Sequence, residues 1–227
     1  MGTAALEKAV LDREQMAKRV ALELRDDWLV NVGIGMPTKC LPYVPPERDV
    51  LFHSENGIIG MGPPPADPAD ADNDLLSAGK GPVTLVPGGC FIHHADSFAI
   101  SRGGRLDAAI LGAYQVAENG DLANWRLPNA RTGSVGGAMD IAVGAKRVFA
   151  MMTHVTRDGE PKIVNELSYP LTALRSVTKI FTDMAVIAVT AEGLVLEEVA
   201  PGLTPDDVQA VTEPKLAVSA TLKPIEL

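Results

Sequence analysis

Three short stretches of this 227-residue chain combine residue types and spacings that can do chemistry. The first is Ser54-Glu55-Asn56-Gly57, a carboxylate inside a tight-turn sequence that directly follows Asp49-Val50-Leu51-Phe52-His53. Asn-Gly is a strong turn signal, so the plainest reading is a hairpin or strand-end turn carrying an incidental acid. A carboxylate leaving the C-terminal end of a strand in an open α/β sheet nevertheless faces the crevice where ligands bind. The second stretch is Gly33-Ile34-Gly35, a turn whose N–H groups can cradle an anion or serve only to reverse the chain. Glu55 lies 20 residues after Gly35, the spacing at which dinucleotide-binding folds place the acid that holds a ribose. Thr38 in place of a third glycine, and Pro37 inside the turn, weigh against that use. The third stretch, Gly136-Gly137, precedes a helical pattern and offers either N–H donors for an oxyanion or room for close helix–sheet packing.

Other reactive residue types give weaker signals. His93 and His94 are adjacent, and neighbours on one strand point to opposite faces, so a shared metal is not expected; a helix-entry role fits better. Cys40 and Cys90 have no C-x-x-C spacing and read as unreactive. Arg102 and Arg105 are candidate partners for phosphate groups, or solvated surface charges.

The elements that must position these groups can be read from periodicity. Residues 4–25 repeat apolar side chains at three- and four-residue steps and predict an amphipathic helix. Trp28–Val32, Asp49–Phe52, Val83–Val86, Ala108–Leu111, Arg147–Met152 and Ala185–Val189 predict strands, with helices at about Ala95–Arg102, Ala138–Gly144 and Thr204–Val211. Ile180–Leu196, interrupted at Asp183 and Glu192-Gly193, predicts paired strands. Residues 62–74 (GPPPADPADADND) predict a solvated loop. Alternating strands and helices imply an α/β fold, an open, mostly parallel sheet with helices on both faces, in one domain over residues 1–227.

Composition narrows the class further. Hydrophobic residues make up 46% and aromatics only 4%, which suits an aliphatic core around a parallel sheet. The net charge of −9, without a basic patch, argues against nucleic acid and anionic membranes as partners. No apolar run approaches the ~20 residues needed to span a bilayer, and the N-terminal residues lack a signal-peptide layout. The expectation is a cytoplasmic protein.

Leu51-Phe52-His53-Ser54-Glu55-Asn56-Gly57-Ile58-Ile59-Gly60-Met61-Gly62-Pro63 resembles the active-site segment of the 3-oxoacid CoA-transferases, whose signature centres on Ser-Glu-Asn-Gly. Asn31-Val32-Gly33-Ile34-Gly35-Met36-Pro37-Thr38 resembles that family's first glycine loop. Ala95-Asp96-Ser97-Phe98, Arg102-Gly103-Gly104, Gly120 to Trp125 and Gly136-Gly137-Ala138-Met139-Asp140 follow in family order, so the likeness covers about residues 15 to 200. Lys39-Cys40-Leu41-Pro42 departs from the family pattern, and the tail from Pro214 has no clear counterpart in it.

The resemblance implies a CoA-transferase (NagB/RpiA-like) fold, the beta-subunit type, and Glu55 as the covalent nucleophile. A carboxylate has a reference pKa of ~4.3 and is ionised at neutral pH, so such a nucleophile needs no partner base. Attack on an acyl-CoA thioester gives a mixed anhydride; CoA thiolate then attacks the glutamyl carbonyl and leaves a glutamyl-CoA thioester. The acceptor acid enters by the reverse steps. No permanently bound cofactor or metal is implied, only coenzyme A and acyl-CoA as substrates. Gly136 and Gly137 are implied oxyanion supports, and Gly33, Gly35, Asn56 and Gly57 line the CoA or substrate loops. A separate alpha subunit in a heteromer such as α2β2 is implied as partner.

Two branches of the family compete on acceptor. His53 before the signature, and Phe91 to Phe98 containing His93 and His94, resemble the 3-oxoadipate branch more than the acetoacetate branch. A second substrate carboxylate would want a cation or donor, which His93 or His94 can supply. A non-enzymatic ligand-binding domain on the same fold, in which Glu55 only binds, is the reading from a different class.

Overall fold

The computed structural model describes residues 10–227. In chain order the elements are α1 (Arg13–Glu23), β1 (Trp28–Val32), a 3-10 helix (Met36–Tyr43), β2 (Val50–Ser54), β3 (Ile58–Met61), β4 (Leu85–Phe91), α2 (His94–Arg102), β5 (Ala108–Gly112), β6 (Gln115–Ala117) and β7 (Leu122–Ala123). They continue with α3 (Ala138–Gly144), β8 (Val148–Met151), β9 (Ile163–Val164), β10 (Val177–Phe181), β11 (Ala185–Thr190), β12 (Gly193–Val199), α4 (Pro205–Gln209) and β13 (Leu216–Pro224).

Ten strands form one sheet in the order β13-β12-β11-β10-β8-β5-β1-β2-β3-β4. Its centre, from β10 to β2, is parallel throughout. Antiparallel partners extend it on both sides, β3 and β4 beyond β2, and β11 and β12 beyond β10. A smaller sheet of order β7-β6-β9 stands apart. The parallel strands are buried on both faces: Ala108–Leu111 of β5 and the whole of β8 are in the core, which is why they read as continuous apolar runs.

Helices cover both faces. Phe149 and Phe181 meet edge to face at 5.5 Å under α1, whose Arg19 lies 5.5 Å above the Phe181 ring. The 3-10 helix covers the same face, with Cys40 Sγ 4.0 Å from Met151 Sδ. Burial pushes the Cys40 thiol up to about 12, consistent with an inert core residue. The opposite face carries α2, which packs against α3.

α1 begins where the sequence supplies a capping box: Asp12 accepts hydrogen bonds from the Glu14 and Gln15 amides, and Gln15 accepts one from the Asp12 amide. The periodicity over 4–25 thus resolves into Arg13–Glu23, with residues 4–9 outside the described region. An ion network clamps this helix to the sheet. Arg19 lies 2.6 Å from Glu198 and 3.0 Å from Glu23, and Lys179 lies 2.8 Å from Glu23.

Most expected strands lie within two residues of their observed bounds, and Ala138–Gly144 is a helix with those limits. The exceptions have physical causes. The strand expected at Val83–Val86 begins at Leu85 and runs to Phe91, through Pro87, Gly88 and Gly89. Those breakers are tolerated because β4 is a sheet edge. The tail after Pro214 supplies β13, a parallel edge strand against β12. Its polar Ser219 and Thr221 give it little apolar signature. Residues 62–74 are irregular apart from a 3-10 turn at Pro68–Asp70. Among the described residues no helix is long and apolar enough to cross a membrane.

Two buried histidines make the fold acid-sensitive. Burial lowers both His53 and His154 to about 4, His154 additionally under the charge of Lys162. His154 is neutral between Thr182 and Thr212, at 2.9 and 2.8 Å. The unfolded chain takes up these protons near 6.5 while the folded chain does not. Stability is therefore complete above pH 6.5 and lost as pH falls towards 4, on the order of 3 kcal/mol per histidine. For Glu23 burial opposes ionisation, but Lys179 and Arg19 outweigh it and hold the carboxyl low. Its contribution persists above the unfolded carboxylate range and disappears below it. Urea midpoints measured at pH 7, 5.5 and 4.5 are expected to fall steeply, with most of the loss already present before the carboxylates titrate. A flat profile down to pH 4.5 would rule this out.

Candidate active site

Ser54-Glu55-Asn56-Gly57 is the turn of the β2–β3 hairpin. The Gly57 amide donates to the Ser54 carbonyl at 2.9 Å, which leaves Glu55 and Asn56 as the central pair. Both readings of the sequence meet here, because this hairpin turn also caps the C-terminal end of a parallel strand. Gly57 takes φ +118, and a Cβ on it would lie 2.3 Å from the Ile92 carbonyl oxygen. Only glycine lets the turn approach that backbone, where the Ile92 amide donates to the Gly57 carbonyl at 2.9 Å. Two further bonds brace the turn against the 75–81 loop. The Ala78 amide donates to Ser54 Oγ at 2.9 Å, and Asn56 Nδ2 donates to the Leu76 carbonyl at 2.7 Å. Asn56 is thereby committed to holding a loop.

Glu55 is half-buried, and one of its oxygens is fixed from the sheet. Asn31 of β1 pairs in register with His53 of β2, so both side chains point to the α2 face. Asn31 Nδ2 lies 3.2 Å from Glu55 Oε2, 3.1 Å from His53 Nδ1 and 3.3 Å from the His53 carbonyl. His53 Nε2 continues the chain to Ser97 Oγ of α2 at 2.7 Å. Turning the Asn31 amide over would set its oxygen against a carboxylate and a carbonyl, so the nitrogen must face them. His53 Nδ1 is then the acceptor, and the ring proton sits on Nε2 and donates to Ser97. This arrangement leaves Asn31 Oδ1 buried without a hydrogen bond, a cost of about 1–3 kcal/mol that native folds seldom carry without a functional reason.

The remaining expected residues gather at the same end of the sheet. The Gly33 amide donates to the Ile110 carbonyl of β5 at 2.8 Å, and a Cβ there would come within 3.0 Å of that oxygen. Gly35, at φ +89, opens the 3-10 helix and faces free space. The dinucleotide alternative fails on this point: the glycine loop leads into a 3-10 turn containing Pro37 and Pro42, and no α-helix N-terminus meets a pyrophosphate. Ile34 packs beside Gly79, so the glycine loop adjoins the loop that braces Asn56.

His93 and His94 enter α2 and are not strand residues. His93 caps the helix by accepting the Ala95 amide on Nδ1 at 3.1 Å, and His94 stacks on Phe98 with ring centroids 4.9 Å apart. A cavity of about 470 Å³ lies beyond, bounded by His94, Phe98, Arg102, Gly136, Gly137 and Asp140. Its size suits a small ligand. Gly137 is there for packing, since a Cβ would lie 2.8 Å from the Phe98 ring, whereas Gly136 is unobstructed. Arg102 pairs with Asp140 at 2.8 Å and lies 5.1 Å over Phe98. Glu55 is not part of the cavity wall. The two are joined through Gly57, which abuts the Ile92–His94 backbone.

In the sequence, Asn31, His53 and Ser97 stand out only as parts of longer segments. A signal was present: Asn31 interrupts the apolar run of a buried strand, and His53 stands two residues before Glu55, on the same strand face.

The coenzyme A transferase family profile matches residues 13–210. The chain belongs to the coenzyme A transferase family. It is 52% identical over 204 residues to the beta subunit of 3-oxoadipate CoA-transferase from Acinetobacter baylyi, covering 89% of this chain and 93% of that one. It is 45% identical over 216 residues to succinyl-CoA:3-ketoacid coenzyme A transferase 2B, mitochondrial, of Mus musculus, covering 94% of this chain and 41% of that longer one. Among solved structures, an acyl-CoA transferase apoenzyme from Escherichia coli O157:H7 superposes with a TM-score of 0.74 at 20% identity, over 96% of this chain and 44% of that one. That likeness shows the CoA-transferase fold, the α/β sheet expected from the sequence.

Proposed function

We propose that this CoA-transferase chain is a beta subunit that moves CoA from succinyl-CoA to 3-oxoadipate, with Glu55 as the covalent nucleophile. The reading is carried by the placement of Glu55. A carboxylate is held at the C-terminal end of a parallel strand, with Oε2 bonded to Asn31 and Oε1 free of hydrogen bonds from the described residues. Glu55 Oε1 attacks the thioester carbonyl, the C–S bond breaks, and CoA thiolate leaves behind a mixed anhydride. Thiolate attack on Glu55 Cδ releases succinate and forms the glutamyl-CoA thioester, and the acceptor carboxylate reverses both steps. Coenzyme A enters as substrate, and no resident cofactor is needed to keep the acyl group activated. Gly136, unobstructed at the cavity, supplies an N–H suited to the oxyanion on the substrate side, with Gly137 shaping the loop. Gly33 and Gly35 line the approach of the CoA chain.

A separate alpha subunit completes the site in an assembly such as α2β2, working in the cytoplasm. This follows the Acinetobacter relative, which is named as one subunit of its transferase and which this chain matches along 93% of its length. The same relative favours 3-oxoadipate as acceptor. Acetoacetate is the second reading, supported by the 45% identity to the mitochondrial 3-ketoacid enzyme.

His94 faces the cavity and is placed to meet the second carboxylate of a dicarboxylic acceptor, while His93 is occupied with helix capping. With the alpha subunit present, turnover on 3-oxoadipate is expected to exceed that on acetoacetate at equal concentration. His94→Ala is expected to reduce that preference about tenfold, the equivalent of one charge-assisted hydrogen bond. A wild-type preference for acetoacetate would sink the 3-oxoadipate assignment.

A further inference from the structure

We infer that Asn31 is a catalytic residue, its carboxamide N–H serving as oxyanion donor to Glu55 Oε2 when the glutamyl carbonyl carbon becomes tetrahedral. The inference rests on the nucleophile assignment above and adds to it a second reacting centre with its own donor.

The reaction has two kinds of tetrahedral intermediate. In the first step charge builds on the oxygen of the substrate carbonyl, remote from β1. In the second, CoA thiolate adds to Glu55 Cδ, the carbonyl π pair moves onto Oε2, and collapse breaks the Cδ–Oε1 bond, so Oε1 departs within the released acid. Attack of the acceptor carboxylate on the glutamyl thioester places the same negative charge on Oε2 and expels thiolate. These two steps need a donor aimed at Oε2, fixed before charge develops.

Asn31 meets that need by construction. Its Nδ2 has acceptors at Glu55 Oε2, His53 Nδ1 and the His53 carbonyl. Its own Oδ1 is buried and accepts nothing. The amide is thus held as a donor at the expense of its acceptor, and His53, anchored to Ser97 Oγ, prevents it from turning over. At 3.2 Å the bond to Oε2 is long for the resting carboxylate. It has room to shorten as charge concentrates on that oxygen, so it favours the transition state over the ground state. An amide is also the right chemistry. It cannot titrate, and it cannot itself be acylated as a serine or lysine beside an anhydride could.

The test compares wild type, Asn31→Ala and the isosteric Asn31→Asp, each assembled with the alpha subunit. Three quantities are read: thermal midpoint, kcat and KM for succinyl-CoA, and the rate at which the glutamyl-CoA thioester is trapped after mixing. Asn31→Ala is expected to slow thioester formation and kcat together by about 100–1000-fold, with KM changed less than about threefold. Asn31→Asp is expected to lose at least as much and to shift the acid limb of the pH–rate profile upward, because two carboxylates then share one site. A purely packing role would spare Asn31→Asp and leave its pH profile unmoved. Thioester formation in either variant within about threefold of wild type overturns the inference. Should wild-type enzyme carry no adduct on Glu55, the nucleophile assignment itself fails, which is a separate outcome.

Discussion

Glu55→Ala is expected to abolish CoA transfer, lowering kcat by about 10⁴-fold or more, while the protein keeps its melting temperature to within a few degrees. The activity term is large because the carboxylate makes and breaks the covalent bond in every step, and removal of a covalent nucleophile typically costs several powers of ten. The stability term is small for a geometric reason. Glu55 is a central residue of a hairpin turn, half-buried, and the bonds holding that turn come from Ser54, Asn56 and Gly57. Truncation leaves the Asn31 N–H without its carboxylate but retains its two contacts with His53. Glu55→Gln keeps the shape and is expected to be equally inactive, since an amide oxygen does not form the anhydride. Steady-state kinetics beside a thermal melt checks both halves. Residual transfer above about 1% in either variant would contradict the assignment.

The second large effect is expected at Gly57, where activity and stability should fall together. An alanine Cβ would sit 2.3 Å from the Ile92 carbonyl oxygen, a backbone atom that no rotamer change can move, at a φ of +118 that side-chain-bearing residues rarely adopt. The turn must retreat from α2, taking Glu55 with it. A cost of about 3 kcal/mol corresponds to a drop of roughly 6–12 °C in a chain of this size. Displacing the nucleophile by about 1 Å adds a loss of about 100-fold in rate. Gly112→Ala is the control for stability, since a Cβ there meets nothing within 4 Å. Melting curves of the two variants should differ by most of the predicted drop. Equal melting points would show that the close approach of turn and helix is not what holds Gly57.

The fold was legible where burial leaves a continuous mark. The parallel strands β1, β5 and β8 lie between two helical layers, and their unbroken apolar runs gave bounds correct to one residue. Edge strands left weaker traces. β4 contains Pro87 and two glycines, and β13 alternates exposed polar residues, so neither has to satisfy a core on both faces. In the site, Glu55 stood out because its neighbours form a turn, and turn chemistry is local. His93 and His94 were legible as residue types but not as roles: only the start of α2 shows that one caps the helix while the other faces a cavity. The Asn31–His53–Ser97 chain was hardest to see. It spans three elements whose register is set by the pairing of β1 with β2 and by the packing of α2 over both. Its members are separated by 22 and 44 residues, which no local pattern connects.

The central claim is that acyl-CoA chemistry passes through the side chain of Glu55. Wild-type protein with its alpha subunit, incubated with succinyl-CoA, trapped with borohydride or hydroxylamine, and digested for mass spectrometry, reports on it directly. The expected result is one modified residue, Glu55, within the peptide containing Ser54 to Gly57, with the modification absent in Glu55→Ala. Modification at any other residue, or full turnover with Glu55 unmodified throughout, would contradict the account.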